Sequence, residues 1–403
     1  MSRASSHALK HPPVKAPSEP AGAPQNISES DVPEGQVPQT DFPELAVAIE
    51  RGRRRGRGAQ SNASGRFEAE ARVAFDDGWQ SLEDLPAFKT TVALDTARKV
   101  ITRNDSPDIG FDRSINPYRG CEHGCIYCYA RPSHAYLGLS PGLDFESRLF
   151  YKPQAAKLLA AELCKKGYSC RPIALGSNTD PYQPVERKLG LTRAILEVLR
   201  DFRHPVTIVT KSALIQRDLD ILGEMARHRL AMAAISVTTL DRQLARVMEP
   251  RAATPERRLE TIAALAATGV PVSVMSAPMI PALNDSEMEQ ILEQARAAGA
   301  TSAAYTLLRL PLELKDLFKE WLETHFPGKA AHVLSLVAQT HGGRLYDSTW
   351  FTRKTGAGPY ADVLRLRFER ACRRLGFNER AASTLDISRF RPPPQRGDQL
   401  TLL

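Results

Sequence analysis

The stretch Arg113-Ser-Ile-Asn-Pro-Tyr-Arg-Gly-Cys121-Glu-His-Gly-Cys125-Ile-Tyr-Cys128 runs from a short β-type segment straight into three cysteines spaced C-x3-C-x2-C. Three thiolates within eight residues can wrap one soft metal centre from a single loop. Iron–sulfur cubanes take four cysteines as a rule. A set of three leaves one iron without a protein ligand, and an open position is what a substrate-activating site needs. Zinc would require a fourth ligand. His123 lies inside the motif, too near in sequence to complete a comfortable tetrahedron with all three thiols, and no second CxxC knuckle follows. Gly120 and Gly124 allow the loop backbone to curl tightly. The motif therefore reads as a [4Fe–4S] site on Cys121, Cys125 and Cys128.

Outward from this loop, β-rich runs alternate with helical ones. Strands are expected over Arg113–Asn116, Pro172–Gly176, Pro205–Thr210, Met232–Thr238, Pro271–Ser276 and Ala303–Leu308. Helices are expected over Gln154–Lys166, Leu191–Phe202, Leu214–His228, Pro255–Thr268 and Glu287–Ala298. Pro255 at a helix start and Gly269 past its end show the usual asymmetry of caps; Asp285-Ser286 offers an N-cap and Gly299 a stop. Six such units with nearly continuous apolar strands predict an α/β fold, a partial (β/α)6 TIM-type barrel with its chemistry at the strand C-termini. A doubly wound sheet is the alternative that repetition alone leaves open. Beyond residue 311 the reading gives a helix at Ala330–Thr340, a strand at Arg344–Asp347 and a basic helix at Ala361–Leu375.

The 403 residues, 42% hydrophobic and 25% charged, have the composition of a soluble globular protein. No run of about 18 apolar residues and no apolar leader occurs, so neither a spanning helix nor a secretory signal is expected. Six cysteines are too few for a disulfide scaffold; Cys164, Cys170 and Cys372 read as small buried apolar residues. A cluster of this kind implies a reducing, cytoplasmic compartment. Residues 1–50 hold three basic and seven acidic side chains, so the rest of the chain carries +12 against +8 overall. With eight prolines and six serines, residues 1–50 form the greater part of a lead, residues 1–60, expected to be disordered. Its end, Arg51-Gly-Arg-Arg-Arg-Gly-Arg57, reads either as a flexible phosphate-binding arm or as a solvated linker. The expected organisation is 1–60 disordered, 61–106 an extension of the core, 107–350 the catalytic core, 351–390 a small helical extension and 391–403 a flexible tail.

The cysteine motif, with Tyr127 as its aromatic, resembles that of the radical S-adenosylmethionine (SAM) superfamily. Within it, Asn116-Pro-Tyr-Arg-Gly-Cys121, Cys128-Tyr-Ala130, Gly176-Ser-Asn-Thr-Asp-Pro-Tyr-Gln-Pro184 and Met248-Glu-Pro-Arg251 are similar to the spore photoproduct lyase-related, DNA repair photolyase-like group. The resemblance implies reductive cleavage of SAM at a [4Fe–4S] cluster to a 5′-deoxyadenosyl radical that takes hydrogen from substrate, with a reductase or flavodoxin as electron donor. It implies SAM contacts at Ser177, Asn178 and Asp180 after the second strand, Lys211 after the third and Ser236 in the fourth, with Met275–Pro281 against the adenine. Each has a plainer reading as a local structural contact. Tyr129 and Tyr182 are candidates for radical transfer, with aromatic packing the alternative. Photoproduct lyases carry a cysteine hydrogen donor where this chain has Ser177, and a serine O–H is too strong a bond for that role. Glu249, Arg251, Arg257 and Arg258 form a charged patch that either grips an anion or solvates a helix start.

The final Gln399-Leu-Thr-Leu-Leu403 resembles the peptide by which bacterial DNA-processing proteins bind the sliding clamp, leucines filling an apolar cleft. With the arginine arm and the basic helix bearing Arg365, Arg367, Arg370, Arg373 and Arg374, it points to DNA or another nucleic acid as partner. Two other readings stand beside it: a radical SAM enzyme modifying tRNA or a protein, and a metal-stabilised clamp- or nucleic-acid-binding protein.

Overall fold

The structure, a computed structural model, describes residues 49, 54–68, 87–379 and 385–394. The chain divides into Met1–Glu44 and Leu45–Leu403. The acidic lead, Arg51–Arg53 and the Gln399–Leu403 peptide lie outside the described residues.

The elements in chain order are β1 (Thr91–Leu94), β2 (Ile101–Arg103), β3 (Arg113–Ile115), β4 (Tyr118–Arg119), α1 (Leu143–Ser147), β5 (Arg148–Tyr151), α2 (Ala155–Leu163), β6 (Ile173–Leu175), α3 (Glu186–Leu189), α4 (Leu191–Asp201), β7 (Val206–Thr210), α5 (Leu219–Arg227), β8 (Ala231–Ser236), α6 (Arg242–Met248), α7 (Pro255–Ala267), β9 (Val272–Met279), α8 (Met288–Ala297), β10 (Ser302–Leu307), α9 (Leu314–His325), α10 (Pro327–Thr340) and α11 (Pro359–Leu375). All six expected strands form. They pair in parallel in the order β3-β6-β7-β8-β9-β10, with β2 antiparallel at the β3 edge. A doubly wound sheet reverses its strand order midway; this one advances in one direction throughout, so the partial barrel holds and the alternative falls. Residues alternate along the strands: Val206 and Ile208 enter the helix-covered core, while Val209, Met275 and Ala277 line an inner cavity.

The two edges of the open sheet are bridged by residues 346–356. The Lys354 carbonyl accepts the N–H of Leu307 on β10 at 2.7 Å, and Lys354 Nζ donates to the Asp108 carbonyl at the β2–β3 turn. Arg353 pairs with the Asp108 carboxylate at 2.5 Å, and this hydrogen bond holds the carboxyl below its ordinary range. The expected strand at Arg344–Asp347 does not form. Gly342 and Gly343 both take positive φ and turn the chain, and the N–H at the β10 end is taken by Lys354 instead.

One further expectation is corrected, and two features lay outside the sequence reading. Arg57, placed in a flexible arm, is 8% exposed and donates to the Glu146 and Phe88 carbonyls and to Thr90. The basic helix α11 packs on α8, where Arg367 pairs with Glu289 and Arg374 with Glu293, while Arg365 pairs within its own helix. Helix α9 was not anticipated, although Leu314, Leu317, Phe318, Trp321 and Leu322 bury one face at helical spacing. No helix of the described residues is long and apolar enough to cross a membrane.

Candidate active site

The cysteine loop leaves β4 and curls through Gly120 (φ 75°) and Gly124 (φ 67°), where an added Cβ would fall 2.7 Å from Leu149 and from Glu146 respectively. Two buried ion pairs hold it. On one side Arg131, fully buried, donates to the carbonyls of Cys125, Gly124, Pro141 and Gly142 and pairs with Glu146 at 2.5 Å. Glu146 also accepts the N–H groups of Gly58 and Ala59 at 2.9 and 2.8 Å, which straps residues 57–61 across the loop. On the other side the Met248-Glu-Pro-Arg251 segment backs the motif: Met248 O accepts from Ile126 N, Arg251 N donates to His123 O, and Arg251 pairs with Glu122 at 3.0 Å. Glu249 takes the Tyr127 hydroxyl and the Arg258 guanidinium, all three buried. Of the charged patch, Glu249 and Arg258 are therefore internal and neither grip an anion nor solvate a helix start, while Arg251 and Arg257, the latter with Glu260, stay exposed. A buried pair of this kind specifies one arrangement, because either charge alone would be left unpaired.

Cys121, Cys125 and Cys128 line a cavity of about 800 Å³ at the C-terminal ends of the parallel strands. Burial pushes all three thiols above their ordinary range; Asp180 and the other two thiols push Cys121 further, while Lys211 opposes the rise at Cys125 and Cys128. Ionisation then depends on binding a metal that stabilises the thiolates. Among the described residues no three Cys, His, Asp or Glu side chains close around one ion. The three thiols share one cavity wall, where a cluster would bring its own iron and sulfide between the cysteines.

The strand-end residues meet at the same cavity. Gly176 (φ 89°) turns the chain after β6 where a Cβ would lie 2.2 Å from Val209 O. Asn116 Oδ1 then accepts the N–H of Asn178 at 3.0 Å, and Asn116 Nδ2 donates to Ser177 Oγ at 3.1 Å. Asn178 lines the cavity and its side chain makes no hydrogen bond among the described residues. Lys211 Nζ stands 5.6 Å from the Tyr127 ring centroid and forms no ion pair among the described residues. Ser236 is buried and gives its proton to Ala277 O at 3.1 Å. Asp180 is engaged by the protein: it accepts from Tyr182 N, Thr210 Oγ1 and Lys211 N at 2.7–2.9 Å, and lies 3.3 Å from His123 Nδ1 off hydrogen-bond alignment. Burial alone would raise its carboxyl, but His123 and these donors outweigh burial and hold it at about 2. Asp180 thus ties the β6 and β7 ends together.

Of the two tyrosines, Tyr182 is absent from the cavity lining. It is fully buried in the core, donating to Asp218 at 3.0 Å, so packing is its role. Tyr129 lines the cavity and donates to Ser177 O. It is 49% accessible, yet its open face looks into the cavity with protein around it, and burial pushes its phenol to about 12. The sequence reading missed Asn116 as an organiser of the β6 loop, and Arg131 and Glu146. Asn116 stands within the Asn116–Cys121 motif with no local sign of its partners across the β6 loop, and nothing near Arg131 in sequence signals that its partner is Glu146.

A family model described as Radical SAM superfamily matches residues 115–295. An uncharacterized protein of Mycobacterium tuberculosis is 38% identical over 219 residues, 54% of this chain and 64% of that relative, so the match spans less than two thirds of the relative's length. One from Methanocaldococcus jannaschii is 27% identical over 231 residues, 57% of this chain and 82% of the relative. Among solved structures, a spore photoproduct lyase mutant superposes with a TM-score of 0.52 at 14% identity, covering 78% of this chain and 87% of that one. A second mutant, with bound AdoMet and dinucleoside spore photoproduct, gives 0.50 at 14% identity, with 71% and 80% covered. At such identity the likeness speaks for the fold. Residues 115–295 are thus similar to the radical SAM superfamily, and the three-cysteine loop opening on the strand ends of a six-stranded parallel sheet agrees with that match.

Proposed function

We propose that this chain is a radical SAM enzyme acting on nucleic acid, with Cys121, Cys125 and Cys128 holding the cluster and the strand-end loops holding SAM. The superfamily uses a [4Fe–4S] cluster and SAM, which together supply radical chemistry when bound. The observation that carries the nucleic-acid reading is the charge of the cavity. Seven Lys and Arg side chains line it against one carboxylate, Asp180, and that one is spent on protein donors. Asp95 is shared by Arg119 and Lys152 and offsets one of their two charges, which leaves a cationic surplus suited to phosphates. The segment that carries Lys354 also exposes Trp350 and Phe351, flat surfaces on which bases stack.

In this reading Lys211 and Asn178 offer the SAM carboxylate and amino groups a cation and an amide. Ser177 and Ser236 supply acceptor lone pairs, and Asp180 keeps the two loops in register. Tyr129, a neutral phenol beside Cys128, is the proposed hydrogen-transfer residue, since the position of a lyase thiol donor holds Ser177. The Gln399–Leu403 peptide is proposed to dock on a sliding clamp; its deletion should leave SAM cleavage intact and remove clamp binding in a pull-down, and unchanged clamp affinity rejects that role.

The central test is anaerobic reconstitution followed by iron and sulfide analysis, EPR with and without SAM, and assay of 5′-deoxyadenosine with dithionite in the presence of damaged DNA or of tRNA. About four irons per chain and a DNA-dependent increase in 5′-deoxyadenosine are expected. An increase with tRNA alone assigns the enzyme to RNA modification, and zinc in place of iron sinks the reading. Replacing any one of the three motif cysteines with Ala should abolish cleavage; near-normal cleavage in such a variant means the cluster is held elsewhere.

A further inference from the structure

Arg309 stands two residues beyond the end of β10, on the cavity wall. Its backbone neighbourhood is fixed on both sides: Leu308 N donates to Met279 O, and His341 Nε2 meets Leu308 O at 3.0 Å. Its guanidinium carbon lies 5.5 Å from the ring centroid of Tyr129 and 5.8 Å from that of Tyr346. The two rings lie within cation–π distance of the guanidinium and hold it on the cavity wall. One long hydrogen bond, 3.4 Å from Nη2 to the Tyr346 hydroxyl, is its polar contact with the protein. Its Nε is buried and without a partner, and no carboxylate of the described residues pairs with it.

A buried N–H left unpaired is costly, and more so on a charged group. Among the described residues the buried arginines are satisfied: Arg131, for example, by four carbonyls and Glu146, and Arg258 by Ala253 O, Ser236 O and Glu249. Arg309 is half-buried, and its buried, unpaired Nε sits at the cavity beside Tyr129, the residue after Cys128. A planar guanidinium edge with paired N–H donors matches an oxyanion in a two-point contact.

We propose that Arg309 is an oxyanion-binding fork of the cavity, positioned by Tyr129 and Tyr346 and completed by an anionic group of a bound molecule. This rests on the cavity being the reaction site. Two molecules can bring the oxyanion, SAM through its carboxylate and a nucleic-acid substrate through a phosphodiester.

The experiment uses reconstituted full-length protein with Arg309→Gln and Arg309→Lys, each checked for iron content and thermal melting. One arm measures SAM by equilibrium dialysis. The other follows the anisotropy of a fluorescein-labelled single-stranded thymidine decamer. At least tenfold weaker binding in one arm is expected for the Gln variant, with a smaller loss for Lys, which keeps the charge and loses the fork. A loss confined to SAM assigns the fork to its carboxylate, and a loss confined to the decamer assigns it to phosphate. If the Gln variant does not fold, the Lys variant carries the test. Unchanged affinity in both arms, or wild-type protein that binds neither probe, overturns the proposal. Failure of the proposed function reads separately, as wild-type protein without iron or 5′-deoxyadenosine.

Discussion

Arg131 and Glu146 bear on the chemistry without touching it. The guanidinium gathers four carbonyls of the cysteine loop and its return, and the carboxylate fastens residues 58–59 over the top. Removing one partner of such a buried pair costs about 3–5 kcal/mol, since the other charge stays behind unpaired. Glu146→Ala should lower the melting temperature and shed iron on desalting, and a variant that keeps both at wild-type levels would show the strap to be incidental. His204 offers a test on the opposite end of the strands. It is fully buried, with Nδ1 at 3.0 Å from Pro205 O and Nε2 at 2.8 Å from the Tyr168 hydroxyl, and Phe390 packs edge-on to it. Carbonyl on one nitrogen and hydroxyl on the other describe a neutral ring with its proton on Nδ1. Burial, aided by the charge of Arg113, lowers its pKa from 6.5 to about 4. The unfolded chain therefore binds the proton first as pH falls. Stability is unaffected above about 6.5 and is lost progressively between about 6.5 and 4, by roughly 3 kcal/mol for a fully realised shift. Denaturant melts across that window should show this loss, and His204→Gln should flatten it; equal slopes in the two proteins would reject the assignment.

At the scale of elements, the parallel strands were legible because apolar runs bounded by Gly, Pro and caps recur with a helix between each pair. The small sheet β1-β5-β4 was not legible. Its strands are two to four residues long, and β1 is exposed along its length, so they carry no alternation to read. The absent strand at Arg344–Asp347 teaches the reverse lesson. A β-favouring run forms no strand where the neighbouring edge is already paired, here by Lys354. The Met248–Arg251 segment was visible as a motif, and its meaning changed in three dimensions. Helix α6, N-capped by Asp241, delivers it beneath the cysteine loop, where charge becomes internal pairing.

At the scale of the molecule, a sheet of six parallel strands leaves a lateral gap, and residues 346–356 span it through Asp108, Arg353 and Lys354. Because the Asp108 carboxylate is almost fully buried and takes the Arg353 guanidinium and the Phe351 N–H, Asp108→Ala should loosen the segment while leaving the Lys354 contact to the backbone carbonyl. Hydrogen exchange at residues 346–356 should rise while the core stays protected, and unchanged protection there would show that other contacts close the barrel. The same crossing places Tyr346 against Arg309, so the closure and the cavity wall share residues.

The sequence by itself determined the local chemistry and the rhythm of the chain. Cysteine spacing, helix caps and apolar runs are short-range features, each set by residues a few positions apart. Only the tertiary structure decided which charges are free. Arg57, Arg131, Arg258 and Arg367 read alike with Lys211 and Arg309 as basic residues, yet the first four are bound by carbonyls and carboxylates brought from elsewhere in the chain or from the next turn. Lys211 and Arg309 are left facing a cavity. Whether a cation serves the fold or a ligand depends on its partners across space, and those partners exist only once the sheet has assembled.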